Sequence, residues 1–290
     1  MAYTLPPDVD QRPVAVIGAG TLGARITMMF AAGGSDVRIV NRSRERAEAA
    51  KRFADEQAPA VRAQLGLTAE RSGVVEITGS VDDGVAGAWL VIESVSEQLD
   101  LKRRVFGDLD RLADADALLA TNSSSYPSSQ MLDNVQRPER VLNTHFLMPP
   151  MFNAVELMSS GRTDEGVIPA LIERLPVYGL SPYHVLRESV GFIFNRIWAA
   201  IKREALMVVE EGVTSPAEVD RIWNETLGTP AGPFRLMDQV GLDVVLDIEE
   251  HYAEIRDGIP EGPRTLLREY IGRGDLGVKS GRGFYDDYPG

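Results

Sequence analysis

The chain of 290 residues contains no cysteine, which excludes disulfides, thiolate nucleophiles and sulfur-built metal sites and fits a reducing compartment. Histidine is scarce: there are three, His145, His184 and His251. No H-E-x-x-H spacing, EF-hand loop or G-x-x-x-x-G-K phosphate loop occurs, so the sequence indicates neither metal catalysis nor phosphoryl transfer. No apolar run approaches the ~20 residues of a membrane helix. The opening "MAYTLPPDVDQRP" lacks the basic-then-apolar pattern of a secretory signal. A cytoplasmic protein without a membrane partner is therefore expected. Positive charge is also short, 30 Lys plus Arg against 43 Asp plus Glu for a net charge of −13. Such a surface repels a phosphate backbone at long range, which argues against nucleic acid as partner.

The composition that remains, 44% apolar and 25% charged, suits a folded globular protein. Its length exceeds the roughly 100–200 residues usual for one domain, so two are expected. "PVAVIGAG" reads as a buried strand entering a glycine turn, "TLGARITMMFAAGG" as a helix ended by Gly33 and Gly34, and "DVRIVN" as a second strand. Further strands are expected at "GVVEIT", "WLVIES", "ALLAT", "RVLNTH" and "AVELM", with helical stretches between them. This alternation predicts an α/β fold with a parallel, doubly wound, Rossmann-type sheet. After "YHVLR" (183–187) only helical patterns follow. "GFIFNRIWAAIKREALMVVEEG" reads as one long helix, and "SPAEVDRIWNETLG" starts with a capping box of Ser215 and Glu218 and with Pro216 in its first turn. The expected division is a dinucleotide-binding domain at 1–187 and a smaller all-α domain at 188–290.

Gly18, Gly20 and Gly23 form G-x-G-x-x-G between the first strand and the first helix, and that context makes the spacing a dinucleotide fingerprint. Gly18 permits the turn, Gly20 lets a pyrophosphate approach the backbone, and Gly23 lets helix and strand pack closely. Thr21 and Leu22 complete the loop at the helix N-terminus, whose free N–H groups suit phosphate. At the end of the second strand, where an acidic residue would accept a ribose 2′-hydroxyl, stands Asn41. A neutral side chain there does not repel a 2′-phosphate, and Arg42 and Ser43 can bind one, so NADP(H) is favoured over NAD(H). Arg42, Arg44, Arg46, Lys51 and Arg52 against Glu45 and Glu48 make a local positive cluster that suits an anion or, equally, a solvated helix face.

The blocks "VIGAGTLG", "VIESVSEQLDLK", "TNSSS", "HFLMPP", "VEL", "GFIFNR", "AGPFRLMDQVGLD" and "GRGFYDDY" occur in an order that resembles the 3-hydroxyacyl-CoA dehydrogenase family along nearly the whole chain. The resemblance implies that His145 is the catalytic base and Glu156 its orienting partner. It places Ser124 and Asn195 near the substrate carbonyl and hydroxyl, and Glu97, Lys102 and Asn122 beside the cofactor. It also implies a homodimer formed through the helical domain. The sequence departs from the family's H-F-F-N-P at Leu147 and Met148, and its interval from His145 to Glu156 is about one residue shorter.

Chemistry agrees with that assignment, because oxidising a secondary alcohol needs a base with a pKa near working pH, which histidine has unperturbed. On spacing alone, a histidine eleven residues before a glutamate is a weak signal and reads as a structural residue rather than a base. His184 and His251 lack a ligand-spaced partner and read as structural or surface residues. "TNSSSYPSS" lacks a nucleophile elbow and reads as a substrate-contacting turn. The expected function is interconversion of a 3-hydroxyacyl compound, an acyl-CoA or a β-keto acid, and its 3-keto form. Alternatives are a dehydrogenase of a small free β-hydroxy acid or carrier-bound acyl group, and a cofactor-binding protein without catalysis.

Overall fold

A computed structural model describes residues 2–288. The chain divides after Ile193 into two compact units. Among the described residues, no helix is long and apolar enough to cross a membrane.

The first unit is built on an eight-stranded sheet: β1 (Val14–Ile17), β2 (Val37–Val40), β3 (Val75–Ile77), β4 (Leu90–Glu93), β5 (Leu118–Thr121), β6 (Val141–Met148), β7 (Phe152–Ser159) and β8 (Ser181–Val185). Their order is β3-β2-β1-β4-β5-β6-β7-β8. The first strands are short and apolar because both faces are covered. Along β1, Val14 and Val16 join one core while Ala15 and Ile17 join the other, the two-residue alternation of a strand. The first core receives α1 (Thr21–Ala32) and α2 (Arg44–Leu65) through Met29, Phe30, Ala47, Ala50 and Ala54. The second receives Phe106 and Leu109 of α4 (Leu99–Leu112). Two shorter helices, α3 (Val81–Val85) and α5 (Val167–Arg174), complete the unit.

A fully parallel sheet was expected, and the structure corrects this at the last two strands. The pairs from β3 through β6 are parallel, but β7 runs antiparallel to β6. Only residues 149–151 separate those two strands. A parallel crossover needs about a dozen residues or more, so a hairpin is the one connection such a link allows. The chain then returns through α5 to lay β8 parallel to β7.

The second unit contains α6 (Phe194–Glu210), α7 (Pro216–Leu227), α8 (Pro233–Val240), α9 (Leu242–Ile255) and α10 (Gly262–Gly272). Helix α6 starts at Phe194 rather than at Gly191, because Gly191 and Phe192 have φ of +76° and +51°, outside helical geometry. Ser215 caps α7 by accepting the Glu218 N–H. Leu206, Phe234, Met237, Leu242, Val245 and Leu267 form the core. Two buried carboxylates fasten the chain around it: Asp220 accepts the N–H groups of Phe234 and Arg235, and Asp238 those of Phe284 and Tyr285.

Lys202 of α6 is the exception in this unit. It is 4% exposed, and among the described residues its ammonium has no hydrogen-bonding partner, although neighbouring Glu249 of α9 gives only one oxygen to Arg203, at 2.7 Å, and leaves the other unpaired. Burial, opposed by Glu249 and assisted by Arg203, pushes the lysine down to about 8. Between pH 8 and about 10.4 the unfolded chain binds a proton that the folded chain does not, so stability rises with pH across that window. Lys202→Met is expected to raise stability at pH 7 by on the order of 2 kcal/mol and to flatten the rise. Thermal melts of both proteins at pH 7, 8, 9 and 10 check this, and parallel curves would refute it.

Candidate functional site

The C-terminal ends of β1, β2, β4 and β5 open on a cavity of about 720 Å³, at the end of a parallel sheet where ligands bind in folds of this kind. Gly18, with φ +117°, turns the chain out of β1, and a Cβ there would strike the Ser94 carbonyl. A Cβ on Gly23 would strike the Gly18 carbonyl, so the glycine lets α1 pack onto the turn. Around Gly20, by contrast, a Cβ would meet nothing. That open space faces the cavity together with Thr21 and Leu22. Helix α1 begins at Gly20 without a side-chain cap, so its first N–H groups and positive dipole end are available to an anion. The loop fits a pyrophosphate.

Asn41 fixes the second edge of the cavity. Its Oδ1 accepts the Ala19 N–H at 3.1 Å and its Nδ2 donates to the Ser43 carbonyl at 2.9 Å. The amide thus ties the glycine loop to the start of α2, where the Ser43 hydroxyl caps the helix by accepting the Arg46 N–H. Arg42 and Arg46 are exposed and line the cavity. Among the described residues neither guanidinium has an ion pair or hydrogen bond, whereas Arg44 is paired with Glu48. From sequence Arg46 was read only as a member of the positive cluster and not as a cofactor residue; its place one turn beyond Arg42 was the available signal.

The opposite wall rests on a buried charge network. Glu93, at the end of β4, is fully buried and accepts from Lys102 at 2.9 and 3.1 Å, from the Thr121 hydroxyl at 2.7 Å and from the Val95 N–H at 2.7 Å. Lys102, 1% exposed, also pairs with Glu97 at 3.0 Å. Glu97 in turn accepts the Ser123 hydroxyl and the Ser125 N–H. Burial raises the Glu97 carboxyl, but Lys102 and the two serines outweigh it and hold the group below the usual carboxylate range. Lys102 is therefore committed to two carboxylates. Glu93 and Thr121 escaped the sequence reading, although a carboxylate ending an apolar strand was a visible signal for the first. Asn122 and Ser124 line the cavity beside this network.

One strand further, His145 of β6 lies directly opposite Glu156 of β7, and its Nδ1 is 2.7 Å from Glu156 Oε2. Both residues are buried, at 5% and 2% exposure. The Ile193 N–H donates to Glu156 Oε1 at 2.8 Å, and Phe192 stacks on the imidazole with centroids 4.7 Å apart and planes 22° apart. Asn122 joins this pair to the cavity by accepting the Phe146 N–H at 2.9 Å. The shortened histidine-to-glutamate interval leaves the pair intact, since the register shift in the hairpin falls between Phe146 and Met148.

The structure thus gathers Gly18, Gly20, Thr21, Leu22, Asn41, Arg42, Ser43, Glu97, Lys102, Asn122 and Ser124 on one cavity, with Gly23 behind the loop and His145–Glu156 adjoining through Asn122. Asn195 is half-buried on α6 of the other unit. His184 is exposed, and half-buried His251 lies 4.0 Å from Glu254.

Residues 13–188 match the model described as 3-hydroxyacyl-CoA dehydrogenase, NAD binding domain, and residues 191–287 match the C-terminal domain of the same family. A 3-hydroxyacyl-CoA dehydrogenase-like protein of Cochliobolus heterostrophus is 47% identical over 149 residues, half of this chain and 31% of that one. A probable 3-hydroxybutyryl-CoA dehydrogenase of Bacillus subtilis is 33% identical over 96% of this chain and 98% of its own. The solved (S)-3-hydroxybutyryl-CoA dehydrogenase of Ralstonia eutropha superposes with a TM-score of 0.83 at 29% identity, covering 96% and 99% of the two chains.

The buried network yields a prediction. Lys102→Met leaves Glu93 as a buried charge without its cation and should cost about 3–5 kcal/mol. Adding Glu93→Gln should restore part of that loss. Urea denaturation of the three proteins measures both, and a single variant as stable as the parent would contradict the pairing.

Proposed function

The chain belongs to the 3-hydroxyacyl-CoA dehydrogenase family, and from that premise we propose that it interconverts a 3-hydroxyacyl-CoA and the 3-ketoacyl-CoA, with His145 as acid and base and NADP(H) as the preferred cofactor. The observation that carries the reading is the buried His145–Glu156 pair beside a cavity shaped for a dinucleotide. Glu156 at Nδ1 favours the tautomer that leaves Nε2 to take the C3 hydroxyl proton, and it stabilises the imidazolium that results. In the reverse direction the same nitrogen returns the proton to the carbonyl oxygen. The nicotinamide, when bound, supplies hydride exchange with C3. Ser124 at the cavity edge polarises the substrate oxygen, its hydroxyl able to donate and to accept.

The cofactor preference rests on Asn41, Arg42 and Arg46. A carboxylate at position 41 would repel a 2′-phosphate, and the amide there is instead spent on the backbone of two turns. The free guanidiniums of Arg42 and Arg46, next to the N-terminus of α2, favour a phosphate dianion. The thioester form of the substrate is supported by the names of the relatives. The exposed apolar side chains of Ile197, Ile222, Leu227 and Val244 on the helical unit are consistent with a homodimer, and the cytoplasm is the proposed location.

Absorbance at 340 nm with NADPH or NADH, on acetoacetyl-CoA and on free acetoacetate, tests the function. NADPH oxidation with the thioester is expected, and turnover with acetoacetate alone would move the reading to a free β-keto acid. His145→Ala should lower kcat by roughly 10²- to 10⁴-fold while binding of the dinucleotide survives; undiminished turnover would remove His145 from the mechanism. Separately, Arg42→Ala should raise the KM for NADPH about tenfold or more, the equivalent of losing one charge-assisted contact of ~1.5–3 kcal/mol. The KM for NADH should barely change, and equal effects on both cofactors would show that the arginine does not read the 2′-phosphate.

A further inference from the structure

Among the described residues, Phe192 is the sole non-glycine with a left-handed backbone, at φ +51°, and it follows Gly191 at φ +76°. That region disfavours any residue with a Cβ, and bulky ones most, so surrounding contacts must hold it. Ser189 does so from both sides: its carbonyl accepts the Phe192 N–H at 3.0 Å, and its hydroxyl donates to the Phe192 carbonyl at 3.2 Å. The side chain is buried with Met158 and Val185. This unusual backbone has two results, both at His145–Glu156. The Phe192 ring lies against the imidazole at 4.7 Å and 22°, and the next N–H, that of Ile193, meets the second oxygen of Glu156. Two consecutive residues therefore restrain the two members of the pair.

We propose that Phe192 is a positioning residue for the base, its planar ring setting the plane of the His145 imidazole so that Nε2 faces the substrate; this rests on the reading of His145 as acid and base. The hydrogen bond from Nδ1 to Glu156 holds one edge of the ring, but its angular tolerance still allows some rotation of the plane about Cβ–Cγ. A flat aromatic face removes the rotation, because tilting the imidazole would break contact along one whole edge. A glycine would suit the backbone at 192 better than any other residue. A phenylalanine held there against its own conformational preference is explained by the stack it makes.

The test compares Phe192→Leu and Phe192→Tyr with the parent and with His145→Ala, in the full chain, by steady-state kinetics and thermal melting. Leucine keeps apolar bulk and loses the plane; kcat should fall roughly ten- to a hundredfold with the KM for the dinucleotide unchanged. Tyrosine keeps the plane and should restore most of kcat. Parental kcat in Phe192→Leu, or equal loss in both variants, would overturn the proposal while leaving His145 in place. Surviving turnover in His145→Ala would instead overturn the base reading beneath it. Should Phe192→Leu fail to fold, Ser189→Ala, which frees the Phe192 carbonyl and keeps the ring, should still lower kcat at an unchanged dinucleotide KM. Parental kcat in that variant would overturn the proposal as well.

Discussion

The site depends on the register of one hairpin. In the pairing of β6 with β7, His145 faces Glu156, Thr144 faces Leu157 and Phe146 faces Val155. Side chains alternate across a strand, so a slip of one residue would send Glu156 to the other face of the sheet. The register is held from that other face. Leu142, Phe146, Val155 and Leu157 are all buried in the first core, with Phe146 edge-on to Phe30 of α1. Moving any of them to the polar face would expose a large apolar side chain, at about 1.5–3 kcal/mol each. Hydrophobic burial on one side of the sheet thereby specifies a polar pair on the other.

A second constraint is how the first unit carries charge in its interior. Isolated buried ions are strongly disfavoured, and a pair is tolerated only when its remaining hydrogen-bonding capacity is filled. Glu93 meets this condition with a lysine, a hydroxyl and a backbone N–H, and Glu156 with an imidazole and a backbone N–H. Glu93 ends β4, while Glu156 lies inside β7 and takes its backbone donor from Ile193, outside the sheet. Lys202 in the helical unit fails the condition, and the result there is a lowered affinity for its proton.

What could be read from the sequence follows from how local each feature is. The glycine loop, Asn41 and the Ser215 cap are contained in a few consecutive residues, and the structure reproduces them because turn and cap geometry are set locally. The reversal of β7 was legible in principle, since a link of three residues admits no parallel crossover, yet strand alternation alone was read as parallel. The contacts of Glu93 with Thr121 and of Phe192 with His145 join residues 28 and 47 positions apart, by 121 − 93 and 192 − 145. Nothing in either local stretch announces the partner. For His145 and Glu156 the case is intermediate: a hairpin could be foreseen, but the facing register is decided by the core residues between and around them.

The same reasoning explains how the cavity and the His145–Glu156 pair are tied together although they lie on different strands. Asn122 lines the cavity and accepts the N–H of Phe146, the residue after His145. Asn143, two residues before His145 and buried, accepts the Ser128 N–H and donates to the Tyr126 carbonyl, which pins the serine turn that follows β5. Asn122 takes a β6 donor beyond the last residue that β5 pairs, and Asn143 takes a donor and an acceptor of the turn after β5, so the fold gains satisfied backbone groups from these bonds. The same side chains satisfy backbone groups and tie the cavity to the hairpin. Under the proposed function the proton and the hydride move at one carbon, so His145 and the cofactor must be held in a fixed relation before substrate arrives, and the Asn122 bond that ties the cavity wall to the hairpin would serve that relation.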